Sequence, residues 1–408
     1  MRILFVSDTY YPHLNGVYFF VCRLAPMLQE KGHQVAVIAP SETMNSSYKK
    51  IDGIDVYGIP SLPVLYYPNV RLPIPVLHRF RIRNLIKNFK PDIIHIQDHF
   101  SISSAVVSIN KKLGIAIMGT NHFMPENLTA LIRSEKWKKT LSKILWRNFS
   151  KIFDQLLLVT TPTETAVNLI RPKLKVDVVA ISSGINLKKF NPCGDTQIIR
   201  KRYSLPDKPI LLYVGRVDPE KHIDEVLHGV ALSIKKVDFY FVIVGKGLSK
   251  TSLENLAQEL GIADRVIFTG FVPEEDLPYL YKLSQCFIMA SIAELLSLAT
   301  LQAMAAGLPI IAVNAGALSE LVREDLNGYL FKTGDINAIG ECISRMLNPC
   351  NNCGKMGEKS LEYILQHDIY KTLESFERLY ELVIQKSLYG KAEKSNWEKF
   401  NVVYEMPG

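Results

Sequence analysis

Short apolar runs alternate with helix-like segments along the whole chain, and this alternation constrains the fold more than any other feature. From the amino terminus the runs are RILFVS, QVAVIA, DIIHIQ, IAIMGT, LLLVTTP and VDVVAIS, with a helix read from Val17 to Lys31 that stops at Gly32. Strands this uniformly apolar are buried on both faces, and strands separated by helices lie parallel. The pattern restarts after Asn191 with PILLYVG, DFYFVIVG, RVIFTGF, QCFIMA and LPIIAVNAG, with helices read after His222, from Leu253 to Leu260 and after Ser297. Two α/β units in tandem are therefore expected, with a boundary in the turn-forming stretch SSGINLKKFNPCGD at 182–195 and a cleft between the units. The chain from Asp335 onward reads as helical with a polar tail. Ligands of open parallel sheets bind beyond the carboxyl ends of the strands, so chemistry is sought after Val6, Gly119, Gly215, Gly245 and Ala290.

Composition narrows the class. With 408 residues and 48% hydrophobic content the chain can fill two or three cores, and it is neither disordered nor a small disulfide scaffold. The opening MRILFVSDTYYP is too short an apolar run for an export signal. The most apolar region, Ile292 to Leu318, is broken by Glu294, Gln302, Gly307 and Pro309, so no membrane-spanning helix is expected. Six scattered cysteines suit reduced thiols, which makes the expected setting cytoplasmic. Cys350 and Cys353 make a single CxxC with Cys342 upstream; a zinc site needs a fourth ligand and a compact frame, and no metal is expected. Charge is uneven: residues 1–190 carry 25 Lys/Arg against 12 Asp/Glu, and residues 191–408 carry 23 against 28. That asymmetry favours an anionic partner for the first half, against the plainer reading of a solvated basic surface.

Four loops carry residues suited to a nucleotide or its phosphates. Gly16 in SDTYYPHLNGV stands before a helix, where backbone amides can approach a phosphate, although the GxGxxG spacing of a dinucleotide site is missing. Arg216 and Lys221 in YVGRVDPEK sit between a strand and a helix, where two cations could neutralise a diphosphate leaving group. Gly245 and Gly247 in VGKG mark another strand end, where backbone can lie against a nucleotide or simply turn. Glu294 follows a strand and precedes a helix read from about Ser297, so helix amides could face a phosphate while the carboxylate reaches a sugar.

The ordered set SSGINLKKFNP, YVGRVDPEK, VGKG, FTGFVP and Glu294 ahead of AMAAGLPIIA resembles glycosyltransferase family four over nearly the whole chain. The resemblance implies a retaining enzyme of the GT-B type: two facing Rossmann-like α/β domains, a deep interdomain cleft and carboxyl-terminal helices. Residues 1–185 become the acceptor and membrane-facing domain, 195–365 the nucleotide-sugar domain, and 366–408 a helical tail that packs back on the first domain. It further implies that Glu294 and His122, the latter in GTNHFMPEN, act beside the transferred sugar. Gly16, Arg216, Lys221, Ser297 and Leu298 would hold the donor diphosphate, and Gly245, Lys246, Gly247, Val272 and Gln302 would lie along the nucleotide. The implied donor is a UDP-sugar such as UDP-glucose, with no cofactor and no metal.

The chain departs from that family in two places. Where a second Glu usually accepts hydrogen bonds from the ribose hydroxyls it has Gln302, which loses the charge-assisted bond. Where a Gly-rich turn is common it has Leu295, Leu296 and Ser297. A changed donor preference and a weakened homologue are both compatible with these changes.

For the acceptor, residues 131–151 carry seven Lys/Arg against one Glu, with Trp137, Leu141, Ile144, Leu145 and Phe149 near helical spacing. That is the composition of an amphipathic helix lying in an anionic membrane interface, with Arg133, Lys136, Trp137, Lys138, Lys139, Lys143, Trp146 and Arg147 as candidate contacts. VLHRFRIRNLIKNFK at 76–90 holds five Lys/Arg and no acid, and reads equally as a second such segment or as a core helix. Within the family, these features look most like the lipid glycosyltransferases acting on diacylglycerol. The expected activity is hexose transfer to a lipid hydroxyl by a peripheral protein on the inner face of the cell membrane. The alternatives are a soluble transferase of polysaccharide or small-glycoside synthesis and a catalytically weakened membrane-binding homologue; nucleic acid is not an expected partner.

Overall fold

The computed structural model describes residues 1–11, 15–64, 67–123, 134–190, 194, 196–348 and 353–389. Two compact units emerge, one formed by Met1–Ser182 with the chain from Thr372, the other by Ser183–Lys371. The second unit thus takes in the turn-forming stretch 182–195 almost whole, because Ile185 bridges to Asp368.

In the first unit the order is β1 (Arg2–Val6), α1 (Gly16–Glu30), β2 (Gln34–Pro40), β3 (Ser47–Ile51), β4 (Ile54–Ile59), β5 (Ser61–Val64), β6 (Tyr67–Pro73), a 3-10 turn Pro75–His78, α2 (Arg79–Phe89), β7 (Ile93–Ile96), α3 (Ser101–Asn110), β8 (Ala116–Thr120), α4 (Glu135–Phe153), β9 (Val159–Thr161), α5 (Glu164–Ile170) and β10 (Val178–Ala180). Eight strands form one sheet in the order β10-β9-β8-β7-β1-β2-β4-β3, parallel except for β3 against β4, while β5 and β6 form a separate antiparallel pair. Side chains alternate across the sheet, so Ile3 and Phe5 enter one core with α1 while Leu4 and Val6 enter another with α2, α3 and α4.

The second unit runs α6 (Gln197–Arg202), β11 (Ile210–Val214), α7 (Ile223–Ser233), β12 (Tyr240–Val244), α8 (Lys250–Glu259), β13 (Val266–Gly270), α9 (Leu277–Leu283), β14 (Cys286–Met289), α10 (Leu298–Ala305), β15 (Ile310–Val313), α11 (Leu318–Leu321), β16 (Gly328–Phe331), α12 (Ile336–Leu347) and α13 (Cys353–Ile364). Its six strands are all parallel, in the order β13-β12-β11-β14-β15-β16. Connections reverse direction between β11 and β14, as they do between β1 and β7 in the first unit, and each reversal opens a crevice at the carboxyl ends of the strands.

The last described helix, α14 (Ile369–Tyr389), begins in the second unit and is mostly part of the first. Leu373, Phe376, Leu379, Tyr380 and Val383 recur at helical spacing and are buried against the α1 side of the first sheet. Tyr380 OH lies 2.9 Å from His95 Nδ1 on β7, and Glu377 lies 2.9 Å from His33 Nε2. No helix among the described residues is long and apolar enough to cross a membrane.

Candidate active site

In the second unit the loops after β11, β12 and β14 converge on the switch point. Lys221 Nζ donates to Glu294 Oε1 at 2.6 Å and to Ser291 Oγ at 3.3 Å, with the side chains of Lys221 and Glu294 only 14% and 16% exposed. A cation and a carboxylate far apart in sequence are therefore held together in a partly dehydrated crevice, where their attraction is screened less than in bulk water. Arg216 is 64% exposed and spans two carboxylates of its own loop, Asp218 at 2.6 Å and Glu220 at 2.5 Å. An anion arriving here must compete with those carboxylates for the guanidinium.

The glycines of VGKG have a packing reason. A Cβ on Gly247 would stand 2.1 Å from the Val217 carbonyl oxygen, and one on Gly245 would stand 1.8 Å from that of Gly215. The two loops are stitched together by Val217 N–H to Lys246 O and Ser249 N–H to Val217 O, both 2.9 Å, and by Leu248 N–H to Asp218 at 2.8 Å. Close approach of backbone to backbone is thus sufficient to require both glycines. Lys246 Nζ lies 5.8 Å from the Phe271 ring centroid, and the next residue, Val272, is buried in the core.

Ser297 begins α10 in the way its sequence position suggests. Its hydroxyl accepts the Thr300 N–H at 3.2 Å and the Thr300 hydroxyl at 2.8 Å, which engages the buried side chain as a cap. The backbone N–H groups at the start of α10, including that of Leu298, are what this helix end can offer an anion. One turn on, half-buried Gln302 accepts from Tyr281 OH at 2.9 Å through Oε1, and Tyr281 is fully buried. The amide oxygen that would accept from a ribose is already engaged.

In the first unit, His122 follows β8 and its Nε2 lies 2.9 Å from Gln97 Oε1, with Phe20 packed 4.8 Å from its ring. Desolvation pushes the His122 pKa down to about 3, so the ring is neutral at ordinary pH and acts as a hydrogen-bonding group. Two strands away in the same sheet, Asp8 just after β1 caps α3 through Ile102 N–H and Ser101 Oγ, both 2.7 Å, and Ser103 N–H at 3.0 Å. Asp98 accepts the Asp8 N–H at 2.6 Å and Ser103 Oγ at 2.7 Å, and burial next to Asp8 raises its pKa well above the usual carboxylate range. Gly16 is the first residue of α1, capped by Asn15, and a Cβ there would meet nothing within 4 Å.

Four residues that matter to this geometry escaped the sequence reading: Gln97, Asp218, Ser291 and Tyr281. Gln97 had a visible signal, since HIQDH places three polar side chains, Gln97, Asp98 and His99, in a row at the end of an apolar strand. Tyr281 had none, being an aromatic in a helix with an apolar stripe.

The basic helix divides in two. Trp137 is 69% exposed at the amino-terminal end of α4, with Lys136, Lys139, Lys143 and Arg147 also exposed, whereas Phe149, Ile152 and Phe153 are buried. Trp146 is turned inward: it is half-buried, packs edge-on against Phe149 at 5.1 Å and lies under Lys173 at 4.4 Å. Nine residues at about 100° each carry a helix through half a turn beyond two full ones, so the two tryptophans occupy opposite faces and only Trp137 faces solvent. Arg133 lies outside the described residues, as does the Lys138 side chain, and Cys350 of the CxxC is outside them too. Among the described residues no cluster of three or more His, Cys, Asp or Glu could hold a metal.

Comparison with known proteins decides the class. The chain matches the family described as Glycosyltransferase Family 4 over residues 14–189 and that described as Glycosyl transferases group 1 over residues 195–362. It is a retaining glycosyltransferase of family four. The glycosyltransferase is 28% identical over 371 residues to alpha-monoglucosyldiacylglycerol synthase of Streptococcus pneumoniae, covering 89% of this chain and 82% of that protein. It is 26% identical to a GDP-mannose-dependent alpha-mannosyltransferase of Mycobacterium tuberculosis, covering 82% and 85% respectively. Its fold matches Anabaena HepE solved in complex with UDP-glucose, with a TM-score of 0.73 at 15% identity over 93% of this chain and 99% of that one. The glycosyltransferase therefore has the GT-B fold of two Rossmann-like α/β domains.

Proposed function

We propose that this glycosyltransferase moves a hexose from a UDP-sugar to the hydroxyl of a diacylglycerol-type lipid at an anionic, inward-facing membrane surface. The observation that carries the donor half is the Lys221–Glu294 contact at the switch point of the second sheet. Lys221 and Arg216, freed from their carboxylates, would take the diphosphate charge as the glycosidic bond breaks, and the first amides of α10 would add to it. Glu294 would then hydrogen-bond a sugar hydroxyl, and the neutral His122 would supply a further hydrogen bond to the sugar. Gly16 would leave the α1 amides open to a phosphate, and Lys246, Gly247 and Val272 would border the nucleotide. This assignment calls for no metal, because two side-chain cations and helix amides carry the leaving-group charge. No protein nucleophile is assigned.

The lipid half is supported by the exposed Trp137 and lysines of α4, and by likeness to a synthase whose name specifies a diacylglycerol glycolipid. The test is turnover: purified protein is incubated with anionic vesicles containing diacylglycerol and a panel of nucleotide sugars, and glycolipid and free nucleotide diphosphate are measured by mass spectrometry. New glycolipid from UDP-glucose supports the reading; transfer only from another nucleotide, or only to a soluble sugar, overturns its donor or acceptor part.

A second reading, a membrane-binding homologue with weakened catalysis, is favoured by Gln302 and its engagement with Tyr281. It predicts vesicle binding with no turnover of any donor.

A further inference from the structure

The segment 76–90 is neither simply a core helix nor simply a surface one. Ile82 and Ile86 of α2 are fully buried, with Leu85 and Phe89 packed beside them, so the carboxyl-terminal part of the helix already satisfies the core. Its approach and first turn do the opposite: Val76, Leu77 and Phe80 are 72%, 77% and 76% exposed, and Leu72 just upstream is 62% exposed. Single exposed apolar residues are ordinary on a protein surface, but four large ones within nine positions form a patch.

The charge around that patch has one sign. Arg79, Arg81, Arg83, Lys87 and Lys90 are exposed, none of them takes part in an ion pair among the described residues, and the chain contains no carboxylate between Asp55 and Asp92. Arg79 is held by the Ser108 hydroxyl at 2.8 Å, which leaves its charge uncompensated. Apolar side chains ringed by uncompensated cations complement an anionic lipid surface, where the apolar groups enter the acyl boundary and the arginines meet phosphates.

Topology adds a second point of contact. α2 leads into β7 and α4 into β9, strands parallel to β8, so both helices run antiparallel to the strands. They also pack on the same face of the sheet, since Ile82 and Ile86 share one core with Phe149, Ile152 and Phe153. Their amino-terminal ends therefore both lie toward the carboxyl edge of the sheet, the edge at which His122 follows β8. Trp137 and its lysines stand at the start of one helix, and Phe80 stands at the start of the other, directly after Val76 and Leu77 of the 3-10 turn that leads into it.

We propose that Leu72, Val76, Leu77 and Phe80, ringed by Arg79, Arg81 and Arg83, form a wedge that inserts into an anionic bilayer and works together with the Trp137 end of α4. Two weak anchors on one rigid unit bind far more tightly than either alone, because the second engages at high effective concentration. The membrane as partner rests on the lipid-acceptor reading above; the wedge itself rests on exposure and charge.

The full chain is sedimented with vesicles of neutral phosphatidylcholine, and of phosphatidylcholine mixed with anionic phosphatidylglycerol, at low and high salt. Binding to the anionic vesicles that weakens with salt is expected for the wild type. The double variant Leu77→Ser with Phe80→Ser is expected to bind at least about tenfold more weakly at either salt, while keeping its melting temperature because both side chains are exposed. Arg81→Gln with Arg83→Gln is expected to lose the salt-sensitive part. Wild-type binding of the apolar variant, or equal binding to neutral and anionic vesicles, overturns the proposal. Transfer to detergent-dispersed diacylglycerol is measured in parallel. Transfer without vesicle binding sinks the wedge and leaves the acceptor reading standing. Vesicle binding lost with Leu77 and Phe80, but no transfer to any lipid, supports the wedge and sinks that reading.

Discussion

Removing the Lys221 ammonium by Lys221→Ala tests the proposed donor site where its geometry is sharpest. Lys221 and Glu294 face each other at 2.6 Å with about one-seventh of each side chain exposed. At an effective dielectric of about 20 the gross attraction at that distance is ~6 kcal/mol, most of which is offset by desolvation of the two ends. The net stability lost on leaving Glu294 unpaired is therefore about 1–2 kcal/mol, which for a unit of this size lowers Tm by roughly 2–8 °C. The loss in catalysis should be larger. Withdrawing a preorganised donor from a developing anion costs about 3–4 kcal/mol, a fall of about 10²–10³ in kcat. Thermal unfolding followed by fluorescence and steady-state release of nucleotide diphosphate, on the same preparations, separate the two effects. Lys221→Arg should recover part of the rate by restoring the charge. A folded Lys221→Ala protein with kcat within tenfold of wild type would refute the argument that this cation carries the leaving-group charge, whereas a Tm loss large enough to unfold the protein at assay temperature would refute the stability argument instead.

Three further outcomes follow from particular contacts. Gln302→Glu keeps an oxygen for the Tyr281 hydroxyl and offers a charged one outward, so calorimetry should show nucleotide-sugar affinity rising by about 1 kcal/mol, or fivefold; no change places the ribose elsewhere. His99 and His122 are held neutral by burial, with pKa values pushed down to about 4 and about 3. Both folded values lie below the unfolded value near 6.5, so the stability they confer is complete above pH 6.5 and is lost as pH falls toward the folded values. Between pH 7 and 5 each should cost about 2 kcal/mol, and a melting temperature that does not fall over that range contradicts neutral imidazoles. Trp137→Ser should weaken sedimentation with anionic vesicles and leave Tm unchanged. Trp146→Ser should do the reverse, lowering stability by about 2 kcal/mol through loss of its packing on Phe149; matching effects from both would mean the helix is rotated differently.

The architecture was legible because parallel strands buried on both faces leave an apolar run that no other element imitates, and RILFVS, PILLYVG and QCFIMA became β1, β11 and β14. The antiparallel pair of β5 and β6 was not, since Leu62, Pro63 and Pro73 break the alternation on which strand recognition depends. Candidate donor-site residues were legible from their loops, because strand ends at a switch point are named by the order of elements alone.

Sequence by itself determined two Rossmann-like units, a net basic first half, the loops in which Arg216, Lys221 and Glu294 stand, and the helix that carries Gln302. Tertiary structure alone decided what those side chains meet. Lys221 reaches Glu294 across two neighbouring strands, Gln302 is engaged by a tyrosine from another helix, and α14 joins the unit that the chain had left nearly two hundred residues earlier. It also decided which face of a basic helix looks outward, turning Trp146 inward to a half-buried position and exposing Trp137. The physical reason is common to all four: periodicity is a local property written along the chain, whereas a partner is fixed by packing between segments whose separation in sequence carries no information about their distance.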